Sequence, residues 1–268
     1  MSIFCCPKCQ KLFDRKEKSY VCENGHTYDR ASGGYVNLLP PGGKQHGDDR
    51  AMLQARRAFL ESGGYAPLKN ALKDLFSFLP LPDGCTVLDA GCGEGYYTEA
   101  LCTSLSGAGV YGIDVSKDAV RLCDNRKMNA DFAVASVYGL PIWANCLDLV
   151  LSVFSPFAAE EFLRVMKKGG YLVSVIPDAK HLWGLKTVLY DTPYENKLAP
   201  YEVVGFTFLK MIPVSFTLTL TGREQILSLY RMTPYCYRTG KAGAARIEAL
   251  DFLETEISFQ ILLYQKEL

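Results

Sequence analysis

Between residues 85 and 177 the chain alternates two patterns. Apolar runs stand at Cys85 to Asp89, Val110 to Asp114, around Phe132, Leu147 to Val153 and Gly169 to Pro177. Between them lie helical segments. Tyr97, Ala100, Leu101 and Leu105 recur at spacings of three and four, and further helix starts read near Lys117 and at Glu160-Glu161. Short apolar runs read as strands buried on both faces, and the three-four spacing as amphipathic helix. Strand and helix in alternation predict an α/β fold with a mostly parallel sheet. Upstream, Arg50 to Glu61 reads as a helix, Gly63-Gly64 as a hinge, and a second helix ends near Phe78. Downstream, residues 190–203 are polar and proline-containing, an irregular excursion. Phe206 to Thr221 reads as a strand interrupted at Pro213, with helices over Gly222 to Tyr230 and Ala242 to Phe252. Glu254 to Tyr264 reads as a last, antiparallel strand, which brings the expected sheet to seven strands.

The chemistry concentrates where the first of these strands ends. Val87-Leu88-Asp89-Ala90-Gly91-Cys92-Gly93-Glu94-Gly95-Tyr96 runs from strand through glycines into helix. Such a turn places backbone N–H groups and a positive helix end at the carboxyl edge of the sheet, where open α/β folds bind ligands. The spacing is not that of a dinucleotide fingerprint, G-x-G-x-x-G, because Gly95 comes one residue early and the third position is Tyr96. Apolar-apolar-Asp-x-Gly-x-Gly-x-Gly instead resembles the first motif of class I, Rossmann-like methyltransferases that use S-adenosylmethionine. Glycines there let the backbone approach a ligand that a Cβ would block. The next strand ends in Asp114, 25 residues after Asp89. A carboxylate at that place suits a ribose diol, since it can accept two hydrogen bonds. Asp114 could also serve as a helix N-cap.

Charge and cysteine content separate a second module. Lysine plus arginine equal aspartate plus glutamate, 29 against 29, so net charge does not advertise a nucleic-acid partner. Over residues 1–57, however, ten basic residues face six acidic ones, a mild footprint of a polyanion-facing surface. Of the ten cysteines, Cys85, Cys92, Cys102, Cys123 and Cys146 lie in strand and helix patterns and read as small buried hydrophobes of a reducing compartment. The N-terminal ones differ. Cys6-x2-Cys9 and Cys22-x3-His26 are two close pairs of zinc-ligand types, each on a tight turn (Pro7, Gly25). That is the layout of a closed, structural, tetrahedral zinc site. Cys5 is a spare thiol that could compete with Cys6, although Cys6 has the better spacing to Cys9. The segment is too short to bury a core and would be held together by the metal. The organisation expected is therefore a zinc ribbon over 1–40, a glycine-rich linker over 41–49 and an α/β domain over 50–268. The chain has no run of 18 apolar residues and no signal-peptide layout, which reads as soluble and cytoplasmic.

Taken together, Cys6-x2-Cys9, Cys22-x3-His26, Gly34-Tyr-Val-Asn-Leu-Leu39, Gln54-Ala-Arg-Arg-Ala-Phe-Leu60, Gly64-Tyr65-x-Pro-Leu68, the glycine turn, His181-Leu182 and Met232-Thr-Pro234 are similar to the RlmA (RrmA) family. These are 23S rRNA guanine-N1 methyltransferases that include a tylosin-resistance branch. The resemblance runs over essentially the whole chain. It implies an N-terminal zinc ribbon and a class I methyltransferase domain. It places zinc ligands at Cys6, Cys9, Cys22 and His26, and cofactor contacts at Tyr65, Gly93, Glu94 and His181. Gly91 and Asp114 join that set from the glycine turn and the second strand. On its own chemistry Tyr65 reads as a lid or as a core aromatic at a helix start, and His181 as a helix cap. After the third strand the pattern offers Ser136 where many class I enzymes carry an acid for the adenine amino group.

The loop after Val153, Phe154-Ser155-Pro156-Phe157, faces the transferred methyl in class I enzymes. It lacks the Asn/Asp-Pro-Pro-aromatic pattern of amino-methylating enzymes and is compatible with a ring nitrogen. No proton acceptor is identified, and Glu160 and Glu161 read as dipole-favoured helix-start acids. The aromatics of Met232 to Arg238 read either as a stacking surface for an extruded base or as core. The expected partner is a hairpin of 23S rRNA, with no membrane; a homodimer is one candidate assembly. The rival readings are a small-molecule methyltransferase, which would not need the ribbon, and a non-catalytic RNA-binding factor, which would not need an intact glycine turn.

Overall fold

A computed structural model of the chain describes residues 2–40 and 49–267. The expected linker at 41–49 lies, apart from Asp49, outside the described residues.

The first module is a three-stranded antiparallel sheet of β1 (Phe13–Arg15), β2 (Ser19–Cys22) and β3 (Thr27–Asp29). Tyr20, 1% exposed, packs beside Phe4 and Phe13 in an apolar cluster that continues into the domain through Tyr111 and Ile113. The chain then leaves through β4 (Val36–Asn37).

α1 (Arg50–Glu61) begins at Asp49, whose carboxylate accepts from the Met52 amide at 2.8 Å. Its apolar side, Met52, Leu53, Phe59 and Leu60, is buried. α2 (Ala66–Phe78) carries Pro67 in its first turn, where a missing N–H costs nothing. The domain proper continues as β5 (Thr86–Ala90), α3 (Thr98–Ser104), β6 (Gly109–Asp114), α4 (Lys117–Asp124), β7 (Ala130–Val134), β8 (Leu147–Val153), α5 (Ala159–Val165), β9 (Met166–Pro177) and α6 (Trp183–Leu189). It closes with β10 (Phe206–Thr221), α7 (Arg223–Arg231), a 3-10 turn (Pro234–Tyr237), α8 (Lys241–Glu248) and β11 (Phe252–Lys266).

One sheet runs β10-β11-β9-β8-β5-β6-β7-β4. It is parallel from β9 to β4 and antiparallel at β11 and β10. Every residue of β8 is buried, as a central parallel strand requires. The strand order reverses between β5 and β8, so the ligand crevice falls outside their carboxyl ends.

Three expectations change. Among the described residues the sheet has eight strands, not seven: β4 from the N-terminal module pairs with Ala133 and Val134 of β7, and the Leu38 amide extends the ladder to the Val134 carbonyl at 2.9 Å. The module is clamped again at its start, where the Cys5 amide donates to the Pro141 carbonyl at 2.8 Å and Phe4 is fully buried against Tyr111. Second, β10 is not interrupted at Pro213, which stays in register opposite Gln260. β10 is the sheet's edge, where an absent N–H breaks no ladder; the irregularity lies instead at Phe208/Lys210. Third, the helix expected to reach Phe252 stops at Glu248, because Phe252 pairs with Thr221 and the Gly222 amide bonds the Asp251 carbonyl at 2.7 Å.

Candidate active site and metal centre

The glycine turn at the end of β5 is held from β6. The amides of Gly91 and Cys92 both donate to the Ile113 carbonyl, at 2.9 and 2.8 Å. Gly91, Gly93 and Gly95 have φ of +84°, +55° and +87°, a region that L side chains occupy only at a cost. A Cβ on Gly91 would lie 2.1 Å from Ser155 Oγ, so the loop after β8 closes directly over that glycine. At Gly93 the space is open, with Arg56 Nη1 at 3.9 Å the nearest atom. That difference marks Gly93 as the face of the turn a ligand can approach.

Asp114 is not the N-cap of α4. Ser116 fills that role, its hydroxyl accepting from the Ala119 amide at 3.3 Å. The Asp114 carboxylate accepts from the Gly93 amide at 2.9 Å and the Ser116 amide at 2.8 Å, which fixes it at the mouth of the turn. Asp89 sits beneath, fully buried, with the Thr98 hydroxyl donating to it at 2.6 Å. Burial, with the Asp114 charge adding to it, pushes the Asp89 carboxyl up to about 7.

Glu94 is 2% exposed and turned toward the end of α4. Arg126 pairs with one carboxylate oxygen and donates to the Glu94 carbonyl at 2.8 Å, while it also reaches Glu61 at 2.5 Å. The other oxygen, Oε1, is buried with no partner among the described residues, as is the hydroxyl of Tyr97 three residues on. Orphaned polar atoms beside an open glycine are what a cradle for a polar ligand shows. S-adenosylmethionine fits these residues on that ground: a carboxylate at the turn, an unsatisfied acceptor and an unobstructed backbone.

Tyr65 and His181, 116 residues apart in sequence, meet at 3.4 Å between Oη and Nε2. Tyr65 is buried edge-on between Phe59 and Phe259, with centroids at 5.0 and 4.9 Å. It precedes the first residue of α2 and packs as a core aromatic. His181 does not cap a helix; α6 begins at Trp183 after Leu182, which has φ +59°. The ring's Nδ1 accepts from the Ser258 amide at 3.3 Å, so its Nε2 carries the proton in the neutral form. Burial, then the Lys186 charge, drives the imidazole down to about 3. The Asp178 carboxylate braces the same strand through Ser258 Oγ at 3.0 Å and Gln260 Nε2 at 2.8 Å.

Phe154 joins the two halves, 6.4 Å from both Tyr97 and Tyr65. Ser136 stands beside Asp114, because the Ala135 amide bonds the Asp114 carbonyl at 3.0 Å, and its own hydroxyl accepts from the Tyr138 amide. Glu161 is committed to Arg164 at 2.7 Å and the Leu140 amide at 2.6 Å, which hold its carboxyl below the usual range. Of the aromatics at 232–238, Tyr235 packs near Lys186 and Tyr190, whereas Tyr237 is 64% exposed and donates to Asp49 at 2.7 Å. Arg126 carried no sequence signal, since it acts through a fold contact.

The other candidate centre is in the ribbon. The ligand atoms of Cys6, Cys9, Cys22 and His26 all lie within 4.8 Å of one another. Cys9 and Cys22 sulfurs are 3.6 Å apart, and His26 Nδ1 is 3.5 and 3.4 Å from Cys6 and Cys22. Thiolates about 2.3 Å from a tetrahedral zinc stand roughly 3.8 Å apart, so the four groups fit that ion. Cys5 is outside the cluster, its thiol turned to Gln10 at 3.3 Å. A separate cleft of about 510 Å³ opens between ribbon and domain, among Arg15, Arg30, Asp124 and Lys127, at the amino ends of β6 and β7 and away from the glycine turn.

Two family models match the chain: an RlmA N-terminal zinc ribbon over residues 4–46 and a methyltransferase domain over 87–170. The Bacillus subtilis (strain 168) protein YxjB, provisionally named a 23S rRNA (guanine-N1)-methyltransferase, is 32% identical over 99% of this chain and 98% of its own length. The 23S rRNA (guanine(748)-N1)-methyltransferase of Streptomyces fradiae is 36% identical over 75% of each chain. Among solved structures, a chain of the Haloferax volcanii complex between the Trm112 activator and a methyltransferase superposes with a TM-score of 0.53 at 16% identity, over 83% of this chain and 100% of that one. That likeness concerns the fold alone. With both halves matched in order and two relatives above 30% identity over most of their length, the chain belongs to the 23S rRNA (guanine-N1)-methyltransferase family, with an RlmA-type zinc ribbon and an S-adenosylmethionine-dependent domain.

Proposed function

We propose that the cradle at the carboxyl ends of β5 and β6 holds S-adenosylmethionine for methylation of N1 of one guanine in a 23S rRNA hairpin. In this reading Asp114 accepts from the ribose hydroxyls and Gly91 and Gly93 bring backbone close to the methionine part. Glu94 offers its unsatisfied oxygen. His181, neutral, turns its Nε2–H to the Tyr65 oxygen, and the Tyr65 hydroxyl is then the donor offered to the methionine carboxylate. The observation that carries the reading is the Asp114–Gly93 contact, which ties an acid at the end of the second strand to an open glycine. The substrate comes from the name of the Streptomyces fradiae relative, which acts on N1 of a 23S rRNA guanine.

The cofactor supplies an electrophilic methyl on a sulfonium. The rest falls to the chain. Guanine N1 bears a proton; as the N1–CH3 bond forms and the S–CH3 bond breaks, that proton passes to water or to a base on the RNA side. Glu161, next to the loop, is committed to Arg164 and the Leu140 amide, and in this reading the site works by positioning. Cys6, Cys9, Cys22 and His26 hold a structural zinc, and the ribbon, fixed to the domain by β4, grips the hairpin.

The test is methyl transfer from labelled S-adenosylmethionine to 23S rRNA lacking the modification, with the label mapped. Label on N1 of a single hairpin guanine is expected. No label on naked rRNA, ribosomes or precursor particles would end the rRNA reading and favour a small-molecule substrate.

A further inference from the structure

β8 is buried along its whole length, and the chain leaves it at Phe154 in an unusual way. Phe154 has φ +53°, the left-handed region, in a bulky residue. That conformation is unfavourable for an L residue and persists only where surroundings impose it. They do so here on both sides. The Phe154 amide donates to the Val175 carbonyl at 3.1 Å, which continues the β8–β9 ladder one residue past the strand. Ser155 must then reach back over Gly91, and Pro156 restricts Ser155 to extended backbone.

The strained backbone sends an aromatic ring where the sheet's apolar interior ends. Phe154 packs on Phe259 at 5.1 Å and on Tyr65 and Tyr97 at 6.4 Å, yet it remains 45% exposed. Three rings thus pack against it and leave nearly half of it uncovered, next to the Ser155 that closes over Gly91.

We propose that the exposed face of Phe154 is the platform on which the unpaired target base stacks, so that its ring plane sets the approach of the reacting nitrogen to the methyl. This rests on the rRNA reading above. A base must leave its helix to present N1, and an aromatic ring replaces the stacking it loses. A purine offers a π face whatever its edge, so Phe154 would hold the base in place and leave its identity to other contacts.

The experiment uses the full chain and three proteins: wild type, Phe154→Leu and Phe154→Tyr. Leucine keeps apolar bulk without a π face, and tyrosine keeps the ring. Affinity for S-adenosylhomocysteine is measured by calorimetry, and kcat/KM on the hairpin by labelled methyl transfer. Base capture is followed by fluorescence of 2-aminopurine placed at the guanine that wild type labels. Phe154→Leu is expected to bind S-adenosylhomocysteine as wild type does, to lose about tenfold to a hundredfold in kcat/KM, and to lose the 2-aminopurine response. Phe154→Tyr is expected to retain all three. Unimpaired transfer by Phe154→Leu, or a loss matched by equal loss of S-adenosylhomocysteine affinity, would overturn the platform. Failure of wild type itself to label rRNA would overturn the rRNA reading, and the platform with it.

Discussion

The amide of Ser258 donates to Nδ1 of His181 at 3.3 Å, and this one bond decides what the histidine can do. With Nδ1 an acceptor, the neutral ring has its proton on Nε2, facing Tyr65. His181 is therefore a donor and not the base for guanine N1.

Its burial has a pH signature, and Asp89 opposes it. A His181 held near 3 contributes stability that is complete above the ordinary value of about 6.5 and is lost as pH falls toward 3. Asp89, held near 7, contributes stability that is complete below about 3.9 and is lost as pH rises toward 7. Between pH 4 and 6.5 the two slopes oppose each other, each at most about 1.4 kcal/mol per pH unit. Urea unfolding across that window should give a nearly flat stability for wild type. His181→Gln should become less stable with rising pH, and Asp89→Asn more stable. Parallel curves for all three proteins would rule the assignment out.

The two outer faces of the glycine turn separate folding from binding. Gly91→Ala puts a Cβ 2.1 Å from Ser155 Oγ at φ +84°, so the loop after β8 must move. A stability loss above roughly 2 kcal/mol is expected, together with loss of S-adenosylhomocysteine affinity. Gly93→Ala meets only Arg56 Nη1 at 3.9 Å and strains the backbone alone, about 1 kcal/mol. It should keep the fold and still weaken the ligand. Calorimetry paired with thermal melts distinguishes the two; equal stability losses would contradict the geometry.

The parts legible in the sequence were those with local periodicity or fixed spacing. Val87 to Asp89 announced a buried strand because the central position leaves no face for polar residues, and Cys6-x2-Cys9 with Cys22-x3-His26 announced a metal because ligands on a turn have few other uses. What stayed hidden depends on residues far apart in the chain. Nothing near Val36 says it will pair with Ala133, and nothing near Glu94 says that Arg126 will bury it. Pro213 misled for the same reason, since only sheet order tells an edge strand from an inner one.

Glu94 and Arg126 provide a test of such a hidden pair. Their side chains are 1% and 9% exposed. Arg126→Met leaves a carboxylate buried without its cation, which should cost roughly 3–5 kcal/mol. Adding Glu94→Gln to Arg126→Met removes the stranded charge and should recover more than half of that loss. Chemical denaturation of the four members of the cycle measures it. Strict additivity would mean the pair is not coupled in the folded protein.

Removal of zinc should be felt well beyond the ribbon. The ligands Cys6 and Cys22 belong to a module too small to bury a core of its own, so metal binding is part of its folding free energy. That module also supplies β4 to the domain sheet and buries Phe4 against Tyr111. If the ribbon comes apart, β7 becomes an open edge and a buried aromatic loses its seat. Each kcal/mol lost lowers Tm by about 2–4 °C in a domain of this size, so a site contributing several kcal/mol shows as a drop of about 10 °C. The expectation is one zinc per chain on elemental analysis, one cooperative melt for the loaded protein, and that drop on chelation or in Cys9→Ser. Two separate transitions in the loaded protein would mean that ribbon and domain melt independently, and that β4 transmits nothing. An unchanged melting profile in protein shown to hold no metal would remove the zinc assignment itself.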